Sequence, residues 1–300
     1  MEAVLAGGAH LRPRRHRVRR DQGRPAVSRP RTGAVVTGAG RGLGRLIAAL
    51  LVERGHHVLV TDVSEDAARA AAAELGPDAS WAAVDVRDEA QVARARDRVV
   101  AEAGRLEVWV NNAGVLVTGP AWEQPSDVRR LMLEVNALGT VNGTVAAIGA
   151  MRHTGGHILN VVSLAGLTAV PGEAVYAASK HAAIGFSLST LADLRLAGIK
   201  NVDISCVCPD GIWTPMLHDK LDDPASALSF SGKLLRPEEV VAAVGKVLDR
   251  PRPVTAVPGW RGVQARLADA LPSLGLRGIP LAVAQGRRVQ RRMLAKRPPA

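Results

Sequence analysis

Cysteine is nearly absent: the 300 residues hold only Cys206 and Cys208. They flank Val207 in a strand-like run, so both point to one face and read as packing residues. Two positions apart in a strand they are badly placed for a disulfide, and without a nearby His pair they fall short of a zinc set, so no metal is expected. A reducing cytoplasm is the simplest compartment for them. Long apolar runs are missing too. The stretch 267–286 is broken by Asp269, Pro272, Arg277 and Pro280, which argues against a membrane span. Acid is scarce at the two ends. Residues 1–31 carry +7 and residues 261–300 carry +8 of a total of +11, which leaves 32–260 at −4. A nucleic-acid-binding domain carries its basic stripe on the folded surface, so this distribution excludes nucleic acid as the expected partner.

What is present is a chain with 47% hydrophobic side chains, enough for a sizeable core. Residues 1–31 combine nine Arg with no hydrophobic period and are expected to be a disordered basic tail; a targeting peptide is the weaker alternative. Residues 32–260 read as one domain and 261–300 as a basic C-terminal extension, its prolines breaking any long amphipathic helix. A chain ending at Trp260 is therefore expected to keep its chemistry.

Short β-rich runs alternate with longer segments of helical period, the pattern of repeated βαβ units. Strands are predicted at 34–37, 57–61, 80–84, 106–110, 157–162, 202–207 and 254–257. Helices are predicted near 43–54, 65–75, 88–103, 126–151, 173–197 and 237–249. The fold class is α/β: a Rossmann-type, doubly wound, mainly parallel seven-stranded sheet with helices on both faces. The run 214–236 is too long for an ordinary connection and reads as a lid.

Thr37-Gly-Ala-Gly-Arg-Gly-Leu-Gly44 follows the first strand and opens the first helix, where a phosphate-cradling loop has to lie. Alone it is weak evidence, since a strand-to-helix turn needs glycine anyway. Its spacing, T-G-x-x-x-G-x-G, resembles the short-chain dehydrogenase/reductase family, and the resemblance continues along the domain. Asp62 closes the second strand where an acid can take the adenosine ribose hydroxyls, so NAD is favoured; Arg41 keeps NADP open. Asp85 and Val86 match the family's adenine site, and Asn111-Asn-Ala-Gly114 its N-N-A-G motif.

Ser163, Tyr176 and Lys180 complete the pattern. The four-residue step puts the only tyrosine and a lysine on one helical face, where a cation favours the phenolate and lowers a pKa that is ordinarily near ~10. The resemblance implies that Tyr176 is the general acid/base, that Ser163 holds the substrate oxygen, that Lys180 also reaches the nicotinamide ribose, and that Asn136 holds a water leading to Lys180. It further assigns Gly38, Arg41, Gly42, Leu43, Gly44, Asn112, Ala113 and Gly114 to the cofactor, with Ile212 and Thr214 at the carboxamide. Asp210 departs from the pattern, standing where relatives have glycine; Gly211 would supply the freedom one residue later.

The implied activity is hydride transfer between NAD and a secondary alcohol or ketone. An NADP-dependent ketone reductase and a non-catalytic nucleotide-binding scaffold are the alternatives. Trp213, Met216, Leu217, Leu221, Leu228 and Phe230 make the lid apolar, and with Val170 and Val175 facing the same pocket a lipophilic substrate is expected. A homodimer or homotetramer and a weak peripheral membrane contact through the C-terminal tail complete the expectations.

Overall fold

The computed structural model describes residues 32–295; the basic tail at 1–31 lies outside them. Seven strands form one sheet, all parallel: β1 (Gly33–Thr37), β2 (His57–Asp62), β3 (Ala79–Ala83), β4 (Leu106–Asn111), β5 (Gly156–Val161), β6 (Val202–Pro209) and β7 (Val254–Val257). Their order is β3-β2-β1-β4-β5-β6-β7. The sequence reading placed each strand within a residue or two.

Period-two alternation decides which layer each side chain joins. Val36, Val60, Val110 and Leu159 pack on one face, against helices α1 (Gly42–Glu53), α2 (Glu65–Leu75) and α8 (Pro237–Asp249). Their neighbours Val35, Leu59, Trp109 and Ile158 pack on the other, against α3 (Glu89–Ala103), α5 (Gly139–Met151) and α6 (Ala174–Leu196). Buried on both faces, such strands read as continuous apolar runs. Cys206 and Cys208 are buried together beside Val162 and Leu164, as packing residues.

The predicted helix 126–151 has three parts: α4 (Ser126–Leu133), a π-helical turn at Glu134–Leu138, and α5. By length and apolarity alone the whole could cross a bilayer, but half of its best window is buried inside the protein. The π turn adds a residue to the helix just where Asn136 must reach sideways.

The C-terminal region departs from expectation. Helix α9 (Gly259–Ala270) and helix α10 (Pro272–Leu294) replace the predicted proline-broken extension. Pro272 sits in the first turn of α10, where its missing N–H costs nothing, and only Pro280 lies inside the helix. The division drawn at residue 260 falls in the first turn of α9. Ala265 packs beside the two cysteines. The lid contains α7 (Pro215–His218) and a 3-10 segment (Pro224–Phe230), and α10 lies on that segment. A Cβ on Gly286 would stand 1.8 Å from the Ala227 carbonyl oxygen, so the contact is backbone to backbone. Gln290 Nε2 donates to Asp223 O at 2.8 Å and to Ser226 Oγ at 2.9 Å. Val289, Met293 and Leu294 cover Leu217, Leu221 and Phe230.

Candidate active site

The chain reverses its direction of sheet growth between β1 and β4, and the crevice at their carboxyl ends is where an open α/β sheet binds ligands. A cavity of about 730 Å³ occupies it. Gly38 and Gly42 hold φ near +60°, a region that side chains disfavour. A Cβ on Gly38 would stand 2.7 Å from Ala113 Cα, and one on Gly44 would stand 2.4 Å from Gly38 O. The loop thus lies flat on the sheet edge. Helix α1 starts at Gly42 without a side-chain cap, which leaves its first N–H groups for an anion.

Asn112 fixes this loop. Its Nδ2 donates to the carbonyl oxygens of Thr37 (2.9 Å) and Gly38 (3.0 Å), while the backbone N–H of Asn112 and of Ala113 both donate to Thr37 Oγ1. Asn111 has a different job: its side chain is a buried hub that accepts from Trp109 Nε1 and donates to Thr144 Oγ1 and Asn160 Oδ1.

Asp62 lines the cavity and accepts backbone N–H groups on both oxygens, from Gly40 at 3.1 Å and Ser64 at 3.1 Å. Arg41 stands exposed at the mouth with no ion-pair partner among the described residues. Asp85 is gripped by the Arg87 guanidinium, whose hydrogen bonds hold its carboxyl below the usual range. Val86 is set by Asn142, which donates to its carbonyl oxygen at 3.0 Å. Ile212 and Thr214 line the far side, Thr214 standing at the N-cap position of α7 with its hydroxyl turned to Ile212 O.

Ser163 follows β5, and Tyr176 and Lys180 project from the first two turns of α6 into the same cavity. Lys180 Nζ donates to Val161 O at 3.2 Å and lies 5.6 Å from the centre of the Tyr176 ring. Burial pulls its ammonium down to about 8. Tyr176 runs against expectation. Its phenol is pushed up, first by burial and then by the nearby Glu173 carboxylate, with the Ser163 hydroxyl pulling the other way. Desolvation and the neighbouring carboxylate outweigh the pull of the Ser163 hydroxyl.

Asn136 stands behind the cavity rather than in it. Its Oδ1 accepts from Val115 N at 2.8 Å, and its Nδ2 donates to Val115 O at 2.9 Å and Ser179 Oγ at 3.0 Å. A Cβ on Gly114 would lie 3.2 Å from Asn136 Oδ1 and 3.6 Å from Lys180 Nζ, so the glycine keeps that junction open.

All the other predicted site residues, Gly38, Arg41, Gly42, Leu43, Gly44, Asp62, Asp85, Val86, Asn112, Ala113, Gly114, Ser163, Tyr176, Lys180, Ile212 and Thr214, line this one cavity. Of the predicted substrate-facing residues, Val170, Met216, Leu217 and Leu228 line it, whereas Trp213, Leu221 and Phe230 pack within the lid and Val175 is not in the wall. Gly211 is required for closeness, not for an unusual φ: a Cβ there would meet Ser229 O at 2.2 Å. Sequence reasoning missed Glu173, Ser229 and the wall built by α9 and α10.

A family model described as short chain dehydrogenase matches residues 32–225. The chain belongs to the short-chain dehydrogenase family. Cyclopentanol dehydrogenase of Comamonas sp. is 35% identical over 70% of this chain and 86% of that protein. Sex determination protein tasselseed-2 of Zea mays is 37% identical over 61% of this chain, which spans only 56% of the maize protein. Among solved structures, a short-chain dehydrogenase/reductase from Burkholderia phymatum in complex with NAD superposes with a TM-score of 0.73 at 27% identity, covering 82% of this chain and 95% of that one. Membership makes the chain an oxidoreductase, and relatives of this kind act on CH–OH groups. The glycine cradle fits a nicotinamide dinucleotide, since it leaves space, free N–H donors and Asp62 where pyrophosphate and ribose would lie.

Proposed function

We propose that this short-chain dehydrogenase moves a hydride between NAD and a lipophilic secondary alcohol or ketone, with Tyr176 as its general acid/base. The observation that carries the reading is the meeting of Ser163, Tyr176 and Lys180 in a cavity whose other end is the glycine cradle. A substrate oxygen seated between Ser163 and Tyr176 would exchange its proton with the phenol as its carbon gains or loses hydride. Ser163 would donate to the developing oxyanion. Lys180, anchored on Val161 O, keeps further N–H donors for a ribose hydroxyl and holds its charge beside the phenol. Bound NAD supplies the hydride acceptor and, when oxidised, a positive ring.

Burial raises the Tyr176 phenol and so favours its protonated form, which suits proton donation to a ketone, whereas alcohol oxidation requires a proton exit. Asn136 is proposed to support that exit. Its backbone carbonyl oxygen, in the π turn, accepts from Thr140 Oγ1 at 2.8 Å, and its side chain joins Val115 to Ser179 behind Lys180. NAD is favoured over NADP because a 2′-phosphate would face Asp62, although the free Arg41 beside it favours NADP as the second reading.

Leu133, Leu138, Val145 and Leu188 are exposed along α4–α6, a face fit for a second copy in a homodimer or homotetramer. The two buried free thiols support a reducing compartment such as the cytoplasm. The test is NAD- and NADP-linked turnover of a panel of secondary alcohols; no turnover of any with either cofactor would favour the scaffold reading instead.

A further inference from the structure

One carboxyl group in the cavity raises the Tyr176 phenol but has no place in the binding of substrate or cofactor described so far. Glu173 immediately precedes α6, three residues ahead of Tyr176, and is 2% exposed while lining the cavity. Ser229 Oγ donates to its Oε1 at 2.5 Å, and Oε2 receives no hydrogen bond among the described residues. No cation pairs with it among the described residues: Lys180 donates to Val161 O, and Arg261 is engaged by Asp210. The nearest charge of note is another acid, Asp223, occupied by Thr118 Oγ1 and by its cap on the 3-10 segment.

The pair is held from both sides. A Cβ on Gly172 would meet Ala225 O at 2.1 Å, and one on Gly211 would meet Ser229 O at 2.2 Å, so the lid backbone presses directly against the residues on either side. Burial, reinforced by Asp223, raises the Glu173 carboxyl to about 7, so near neutrality it offers both a donor and an acceptor. A carboxyl in a largely apolar cavity is costly to keep dry unless a hydrogen-bonding partner arrives.

We propose that Glu173 and Ser229 form a second polar subsite that holds a hydroxyl of the substrate, so the preferred substrate is a lipophilic diol rather than a monoalcohol. The inference rests on the Tyr176 cavity being the reaction chamber. Glu173 lies at the N-cap of α6, three residues ahead of Tyr176, so the second hydroxyl lies a few carbons from the carbinol that reacts. A carboxylate in that place would be repelled by Glu173 and Asp223.

The test compares matched pairs, cyclopentanol with 1,3-cyclopentanediol and cyclohexanol with 1,4-cyclohexanediol, in the parent, Glu173→Gln, Glu173→Ala and Ser229→Ala. A hydrogen bond to a carboxyl is typically worth enough for at least a roughly tenfold preference in kcat/KM. The diol-to-monoalcohol ratio should be at least that in the parent, fall toward one in Glu173→Ala and be intermediate in Glu173→Gln. A parent ratio near one, or an unchanged ratio in Glu173→Ala, overturns the subsite and leaves the dehydrogenase reading standing. No turnover of any compound with either cofactor removes both.

Discussion

Arg261 donates from Nε to Asp210 Oδ2 at 2.7 Å, across a contact in which the two side chains are 20% and 9% exposed. The partner of Asp210 lies 51 residues later, in the first turn of α9. Asp210 also accepts from Gly211 N at 3.0 Å. The acid therefore ties α9 to the loop that carries Ile212 and Thr214. Removing Arg261 leaves a mostly buried carboxylate unpaired. Arg261→Ala should cost on the order of 2–3 kcal/mol in denaturant unfolding, and Asp210→Gly should recover part of it in the double variant. Strictly additive effects would show that the pair is not coupled.

Much of the fold was legible because local rules and tertiary structure agree. Alternation such as Val35–Val36 and Leu59–Val60 feeds two cores, and Ser64 and Asp88 cap the helices they precede. The loops around the cofactor cavity were legible because their spacing is a chemical requirement. Helices α9 and α10 were not. Arginine density and Pro280 lower their intrinsic propensity, and what holds α10 is the fit of Gly286 and Gln290 to a lid more than fifty residues earlier. Glu173 was hidden for the same reason, since its burial depends on Ser229, 56 residues away. The π turn at Asn136 carries no period that differs from a helix.

Tyr176→Phe deletes the group that moves the proton and leaves the cavity shape almost unchanged. Turnover should fall by about 100-fold or more, the usual worth of general acid–base catalysis, while NADH fluorescence titration gives a near-parent affinity. A loss smaller than about tenfold would reassign the proton-transfer role.

Asp62 bonds two backbone N–H groups as well as facing the cavity, so Asp62→Asn is a cleaner probe of charge than truncation. The variant should narrow the NAD over NADP preference in kcat/KM by about tenfold or more, the equivalent of roughly 1.4 kcal/mol. A parent enzyme that already prefers NADP would show that Arg41 governs the choice.

Lys180 links stability to pH with a definite sign. Burial lowers its pKa from 10.5 to about 8. Between these values the unfolded chain holds more protons than the folded one, so this group makes stability rise with pH across that window. Below it both states are charged and the burial penalty is constant. Lys180→Met should therefore be more stable than the parent at pH 7, by up to about 3 kcal/mol at 1.36 kcal/mol per unit, and lose that advantage as pH approaches 10.5. A stability difference independent of pH would contradict a desolvated ammonium.

The last expectation concerns the outer surface of α9 and α10. Trp260, Val263, Leu267, Leu271, Leu274, Leu276 and Leu281 are 54–77% exposed. Arg266, Arg277, Arg287, Arg288, Arg291 and Arg292 are exposed on the same two helices with no ion-pair partner among the described residues. An apolar surface of this extent marks a contact. Net positive charge opposes a symmetric contact with a second copy, because like would face like, and suits an anionic bilayer, where each cation near the surface adds on the order of 1 kcal/mol. Leu274 and Ile279 of α10 also line the cavity, so a bilayer there would lie beside the entrance for a lipophilic substrate. A chain ending at Trp260 would lose Arg261 and the helix over the lid, so point changes are the better probe. The parent should sediment with anionic phosphatidylglycerol vesicles at low salt and be released at high salt. Changing Arg287, Arg288, Arg291 and Arg292 to Gln, or Leu267 and Leu281 to Gln, should abolish sedimentation. Vesicle binding unaffected by salt or by these changes would exclude the surface as a membrane contact, and a parent dimer dissociated by the leucine changes would assign it to a second copy.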